Sequence, residues 1–170
     1  LFGGATALLP VFVKDILHAD AFEFGLLKSA MGIGAVITAL TLAFYPIKNK
    51  AGLKMLGAVA GFAICMIVFG VSEIFWLSFF ILLLSGVFDG VSVVIRGTLM
   101  QLYTPDHMKG RVSAVNNIFI GSSNEIGAFE SGVAAKAIGV VNSVVFGGII
   151  SLAVVVTTYF KAEKLRKLDL

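Results

Sequence analysis

Apolar runs of about 20 residues recur along nearly the whole chain, the length an α-helix needs to cross a ~30 Å hydrocarbon layer at ~1.5 Å rise per residue. A soluble domain of this size would bury one core and alternate its apolar positions with polar ones. Here the runs fall at about residues 1–17, 24–47, 53–71, 75–103, 112–135 and 140–160, followed by a basic tail at 161–170. The expected fold is therefore all-α: a polytopic membrane protein of six transmembrane helices in one bundle. Composition agrees, since 58% of residues are hydrophobic and 14% charged, against roughly 25% charged in an ordinary soluble domain.

The first run is short for a membrane span. Leu1 is not an initiator methionine and no charged region precedes the run, so it is expected to begin inside a helix of a longer chain and not to be a signal peptide. Pro10 predicts a kink there. The fourth run is long enough to tilt or protrude. Gly57-x-x-x-Gly61 in the third has the spacing that lets helix backbones approach closely, and Trp76 is placed as an interfacial belt residue.

A net charge of +3 and a pI near 9.1 do not indicate nucleic acid, because the basic residues sit in short loops and not on one folded face. Cys65 lies in an apolar run without a CxxC or histidine partner, so it reads as packing. No GxSxG, HExxH or P-loop pattern occurs. Neither an enzyme, a cofactor nor a metal site is expected.

Sorting Lys and Arg by loop parity gives the orientation. Nine fall on one side (Lys48, Lys50, Lys54, Lys109, Arg111, Lys161, Lys164, Arg166, Lys167) and three on the other (Lys14, Lys28, Lys136), with Arg96 inside a span. The richer side is expected to be cytoplasmic and to include the C-terminus. The tail reads as a topology signal; the alternative is an anchor for anionic lipid.

Four ionisable residues interrupt the apolar runs: Asp89, Arg96, Glu125 and Glu130. A charge at a helix centre costs near ~3 kcal/mol on translocon scales, so a buried ionisable group is read as functional by default. On the fourth span, projection at ~100° per residue puts Ser78, Ser85, Asp89, Ser92 and Arg96 on one narrow face, with Gly86 and Gly90 beside it. Asp89 and Arg96 are ~10.5 Å apart along the axis, so each is expected to find another partner. Around the fifth span, Asn117, Gly121, Asn124, Ala128, Ser131 and Ala135 form a small polar seam, and Glu125 and Glu130 stand at opposite edges of the polar face, ~140° apart. Counted from the turn, Asp89 and Glu125 lie at similar depths of ~20 Å, so antiparallel packing of the two helices would let them share a proton or flank a cation. A carboxyl removed from water has a raised pKa and can load and release protons near neutral pH, the physical basis for coupling transport to a proton gradient. The structural alternative is that these groups pair only to fix helix register.

Four stretches carry a resemblance: Asp89-Gly-Val-Ser-Val-Val-Ile-Arg96, Gln101-Leu-Tyr-Thr-Pro105-Asp, Lys109-Gly-Arg-Val-Ser-Ala114 and Gly121-Ser-Ser-Asn-Glu-Ile-Gly-Ala-Phe-Glu-Ser-Gly132. Together they resemble the second half of major facilitator superfamily permeases, in the bacterial enterobactin-exporter and macrolide-efflux branch. The resemblance implies half of a twelve-helix transporter, its substrate path between two six-helix bundles, working by rocking of the halves. It also implies a bacterial inner-membrane location, proton-coupled export of a small molecule, and a missing N-terminal six-helix half as partner. Asp89, Glu125 and Glu130 become proton-coupling candidates; Arg96, Asn117, Gly121 and Asn124 line or brace the path. Asp106, Lys109, Gly110 and Arg111 form a cytoplasmic loop motif, with Asp106 favouring the N-terminus of the fifth helix. At the basic turn Lys48–Lys54, the acid of the superfamily's loop motif is absent. Two other readings fit six helices: a half that dimerises into a pore, and a non-transporting membrane scaffold.

Overall fold

The computed structural model describes residues 6–47 and 49–162. Expectations resting on Leu1, on Lys48 and on Lys164, Arg166 and Lys167 of the tail lie outside the described residues. In chain order come α1 (Leu9–Asp15), α2 (Ala21–Phe44), α3 (Ala51–Gly70), α4 (Phe75–Tyr103), a 3-10 turn at Asp106–Met108, α5 (Lys109–Ile138) and α6 (Val140–Lys161).

Local chemistry sets these limits. Helical residues 6 and 7 are followed by a break at Leu8, and Pro10 sits in the first turn of α1, where its missing N–H withholds a bond from the preceding turn. A capping box opens α2: the Asp20 amide donates to Glu23 Oε2 at 3.0 Å. Pro46 stops α2, since the residue before a proline is pushed out of helical conformation, and Tyr45 accordingly leaves it. Gly139 alone separates α5 from α6, with φ 88 and ψ 157, a backbone state that only glycine occupies readily.

By length and composition α2, α3, α4 and α6 can each cross a membrane. α5 has the length, 30 residues, but its polar seam keeps it outside that apolar class, and the 7-residue α1 is too short for it. Among the described residues, four of the six expected spans thus qualify on this measure.

Packing follows an arc. α2 packs on α4, α4 on α3, α3 on α6 and α6 on α5, while α1 touches both α2 and α6 and so sits inside the arc. Around α1 lies the main core: Leu8, Leu9, Phe12 and Val13 meet Leu27 and Ala30 of α2, Phe62, Met66 and Phe69 of α3, Ile81 and Leu82 of α4, and Val144 of α6. Phe12 is wholly buried and its ring centroid lies 4.4 Å from that of Phe69.

Backbone meets backbone between α2 and α4. A Cβ on Gly34 would collide with the Leu83 carbonyl oxygen and lie 2.8 Å from the Val87 nitrogen, and one on Gly86 would collide with the Met31 carbonyl oxygen. Gly90 faces Thr38, whose hydroxyl donates to the Val87 carbonyl at 2.9 Å. Gly34-x-x-x-Thr38 and Gly86-x-x-x-Gly90 therefore oppose one another, small residue against small residue. The Gly57-x-x-x-Gly61 pair does not work this way: Gly61 receives the Phe88 ring, and Gly57 has no neighbouring atom within 4 Å of a Cβ.

Candidate functional site

The α4 stripe divides along its length. At ~100° per residue, the Gly86/Gly90 side meets α2, the Phe88 side meets α3, and the stripe lies between them, on the side of α1. At the level of α1, Ser78 and Ser85 are fully buried and spend their hydroxyls locally: Ser78 donates to Ser72 Oγ at 3.0 Å and Ser85 to the Leu82 carbonyl at 2.7 Å. Further along, past the reach of α1, Asp89 and Arg96 are exposed. The expected single polar stripe is thus partly a packing surface: Ser78, Ser85 and Ser92 are buried, and Asp89 and Arg96 are exposed.

Arg96 turns back on its own helix, Nε donating to the Ser92 carbonyl at 3.3 Å. No ion pair joins it to Asp89, and Asp89 makes no hydrogen bond among the described residues. The ~10.5 Å axial separation already argued against a direct pair.

α5 divides in the same sense. Ser131 and Ala135 of its seam pack towards α6 and the core, with Ser143 donating to the Ser131 carbonyl at 3.2 Å. Below them Asn117, Gly121 and Asn124 are exposed, as are Glu125 and Glu130, and Gly127 is the buried residue of this helix. The apolar side is equally uncovered, with Phe119 69% and Phe129 75% exposed.

One expectation needs correction. α4 and α5 do not pack against each other, so Asp89 and Glu125 are not brought into contact to share a proton or flank a cation. The physical reason is that the close-packing side of α4 is taken by α2 and its opposite side by α3, leaving α6 as the neighbour of α5. What the fold does bring together is direction and depth. Both stripes face the inside of the arc, and at ~1.5 Å per residue Arg96 is level with Asn117 and Asp89 with Asn124. Asp89 and Arg96 of α4 and Asn117 and Asn124 of α5 are thus exposed at matching distances from the turn that joins the two helices.

At the turn below, Asp106 opens the 3-10 segment and pairs with Lys109 at 2.6 Å. That hydrogen bond and the ammonium charge hold the Asp106 carboxyl below the usual carboxylate range. The first residue of α5 therefore takes up this acid; Gly110 and Arg111 are exposed and engage no other helix end among the described residues. No group of three or more His, Cys, Asp or Glu gathers among the described residues in a way that could hold a metal ion. Thr38 was missed by sequence reasoning. Its signal was the four-residue spacing from Gly34, matching that of Gly86 to Gly90.

Long apolar helices packed side by side in an arc define a multi-pass membrane protein. The sequence profile described as "Transmembrane secretion effector" matches residues 2–170, and the chain belongs to this family of major facilitator permeases. It is similar to Enterobactin exporter EntS of Citrobacter koseri, 33% identical over 98 residues, covering 58% of this chain and 24% of that protein. The Shigella flexneri exporter of the same name is 31% identical over 121 residues, 68% of this chain and 30% of that protein. With that of Escherichia coli O9:H4 (strain HS) the identity is 27% over 165 residues, 92% of this chain and 40% of that protein. The chain thus spans well under half the length of these curated relatives. No solved structure gives a significant match. The relatives it is similar to are named as exporters.

Proposed function

We propose that this chain is the C-terminal six-helix half of a secondary active transporter in a bacterial inner membrane, which exports a small organic molecule of siderophore, macrolide or similar type in exchange for protons. The observation that carries the proposal is the state of α5: a 30-residue helix with Asn117, Asn124, Glu125 and Glu130 exposed. Hydrocarbon cannot solvate these groups. They face water in a path, or a second bundle, and α5 spans the membrane with them turned inward. The C-terminus is cytoplasmic by the distribution of Lys and Arg.

In this reading Asp89, Glu125 and Glu130 are the groups that load and release protons as access alternates, and Arg96, Asn117, Gly121 and Asn124 line or brace the path. Asp106, Lys109, Gly110 and Arg111 hold the cytoplasmic turn between α4 and α5. The enterobactin exporters that it resembles suggest a siderophore-like cargo. A second six-helix bundle completes the path.

The test uses the natural protein that contains this chain, in inverted membrane vesicles carrying an imposed pH gradient. Glu125→Gln and Asp89→Asn, assayed separately with a catecholate siderophore and a macrolide, should leave protein in the membrane and at least one should abolish proton-driven flux. Unchanged flux in both amides refutes the coupling role. Absence of any flux by the unaltered protein, with either compound, refutes the transporter reading itself.

A further inference from the structure

Where α5 leans on α6, a small space of about 10 Å³ remains, lined among others by Ser131 of α5, Ser143, Gly147, Gly148 and Ser151 of α6, and Met66 of α3. Two neighbouring glycines account for it. A Cβ on Gly148 would press on Ile67, so there α3 closes against α6; nothing lies within 4 Å of a Cβ on Gly147, so there room is left. The volume suits one water molecule, which needs roughly 10–15 Å³ and at least two polar partners. A cargo molecule or an acyl chain does not fit.

The polar partners are present. The Ser131 hydroxyl makes no hydrogen bond among the described residues. Ser143 is 6% exposed and donates to the Ser131 carbonyl at 3.2 Å. That bond brings the two side chains into one neighbourhood and leaves the Ser143 oxygen free to accept. Ser151 gives its hydrogen to the Gly147 carbonyl at 2.9 Å and, ~12 Å along the helix axis from Ser143, belongs to the other end of the space. We infer that one ordered water sits beside Gly147, bonded to the hydroxyls of Ser131 and Ser143, and that it joins α5 to α6. A polar space of this size holds water, whereas an apolar one stays dry. Such a bridge matters in a bundle surrounded by hydrocarbon. When α5 shifts against α6, the water keeps the serine hydroxyls satisfied, at far lower cost than leaving polar groups without partners in the membrane. Nothing in this depends on what the protein transports.

The test is brief X-ray radiolysis of the natural protein in lipid nanodiscs, followed by peptide mass spectrometry. Hydroxyl radicals formed from a bound water oxidise the methionine beside it to the sulfoxide. Met66 is 4% exposed and lines the space, whereas Met108 is 41% exposed and serves as the dose reference. Met66 of the unaltered protein should be oxidised despite its burial. Gly147→Ala places a methyl group in the room without meeting any atom, and should lower the Met66 rate several-fold with Met108 unchanged. Ser131→Ala with Ser143→Ala keeps the room but removes its polar partners, and should lower the rate likewise. Each variant is first checked for a cooperative melting transition. A Met66 rate in the unaltered protein no higher than in Gly147→Ala overturns the inference, as does a rate that survives the loss of both hydroxyls.

Discussion

Replacing Gly86 with alanine places one methyl group where the Met31 carbonyl oxygen of α2 already lies. Backbone cannot step aside as a flexible side chain does, so α2 and α4 must separate or rotate. Overpacking of this kind costs ~1–3 kcal/mol, and separation also stretches the 2.9 Å hydrogen bond from Thr38 to the Val87 carbonyl, with about 0.6 kcal/mol at stake in a membrane helix pair. Together they give about 2–3 kcal/mol, or roughly 5–10 °C in melting temperature on the scaling for chains of this size. Gly32→Ala on α2 is the control, because nothing lies within 4 Å of its Cβ and it gains the same helix propensity. Gly90→Ala should fall between the two, since its nearest neighbour is the Thr38 Cβ at 3.0 Å, a side chain with some freedom to yield. The assay is thermal loss of the monodisperse protein in detergent, the three variants side by side. Equal melting of Gly86→Ala and Gly32→Ala would refute the backbone contact and with it the α2–α4 geometry.

Other expectations are simpler to state. Phe12→Ala empties the centre of the core against Phe69 and should cost about 3 kcal/mol, read as a lower melting temperature, whereas Phe119→Ala on the uncovered side of α5 should cost little. Thr38→Val keeps the shape but removes the donor to Val87, and should lower stability by about 0.6–1.7 kcal/mol in the same assay. The Asp106 carboxyl is held low by Lys109, so its contribution is fully present above the ordinary carboxylate pKa and is lost as pH falls through the lowered value. Melting should therefore be insensitive to this pair between about pH 6 and pH 8. Any difference between the unaltered protein and Asp106→Asn should shrink only at acid pH, and a difference that grows on acidification would contradict the pairing. Arg96→Lys keeps the charge but loses the Nε bond to the Ser92 carbonyl, and should lower transport of an anionic cargo more than that of a neutral one in the vesicle assay.

Much of the architecture was legible in the letters because spanning a bilayer is a local demand. Each long apolar run between turn residues must be helical wherever it packs, so α4 begins at Phe75 and ends at Tyr103 as its flanks suggested, and Pro10, the Asp20/Glu23 cap, Pro46 and Gly139 punctuate the chain by their own stereochemistry. The polar character of α5 was equally plain, and so was the position of each ionisable group along its helix.

Which helix each face meets is not a local property. The choice of Gly34 and Gly86 for the closest approach, over Gly57 and Gly61, depends on the atoms opposite, and glycine spacing alone is the same in both places. The separation of α4 from α5, which parts Asp89 from Glu125, follows from α2 and α3 already occupying the two sides of α4. The burial of Ser78, Ser85 and Ser92 beside an exposed Asp89 and Arg96 depends on which neighbours each residue meets. Sequence by itself determined that this chain forms long membrane helices carrying ionisable groups at defined depths, because helix rise and the solvent set those. Only the tertiary structure decided which groups are packed away and which are exposed, because contact between helices is settled by shape at every point of approach and not by periodicity.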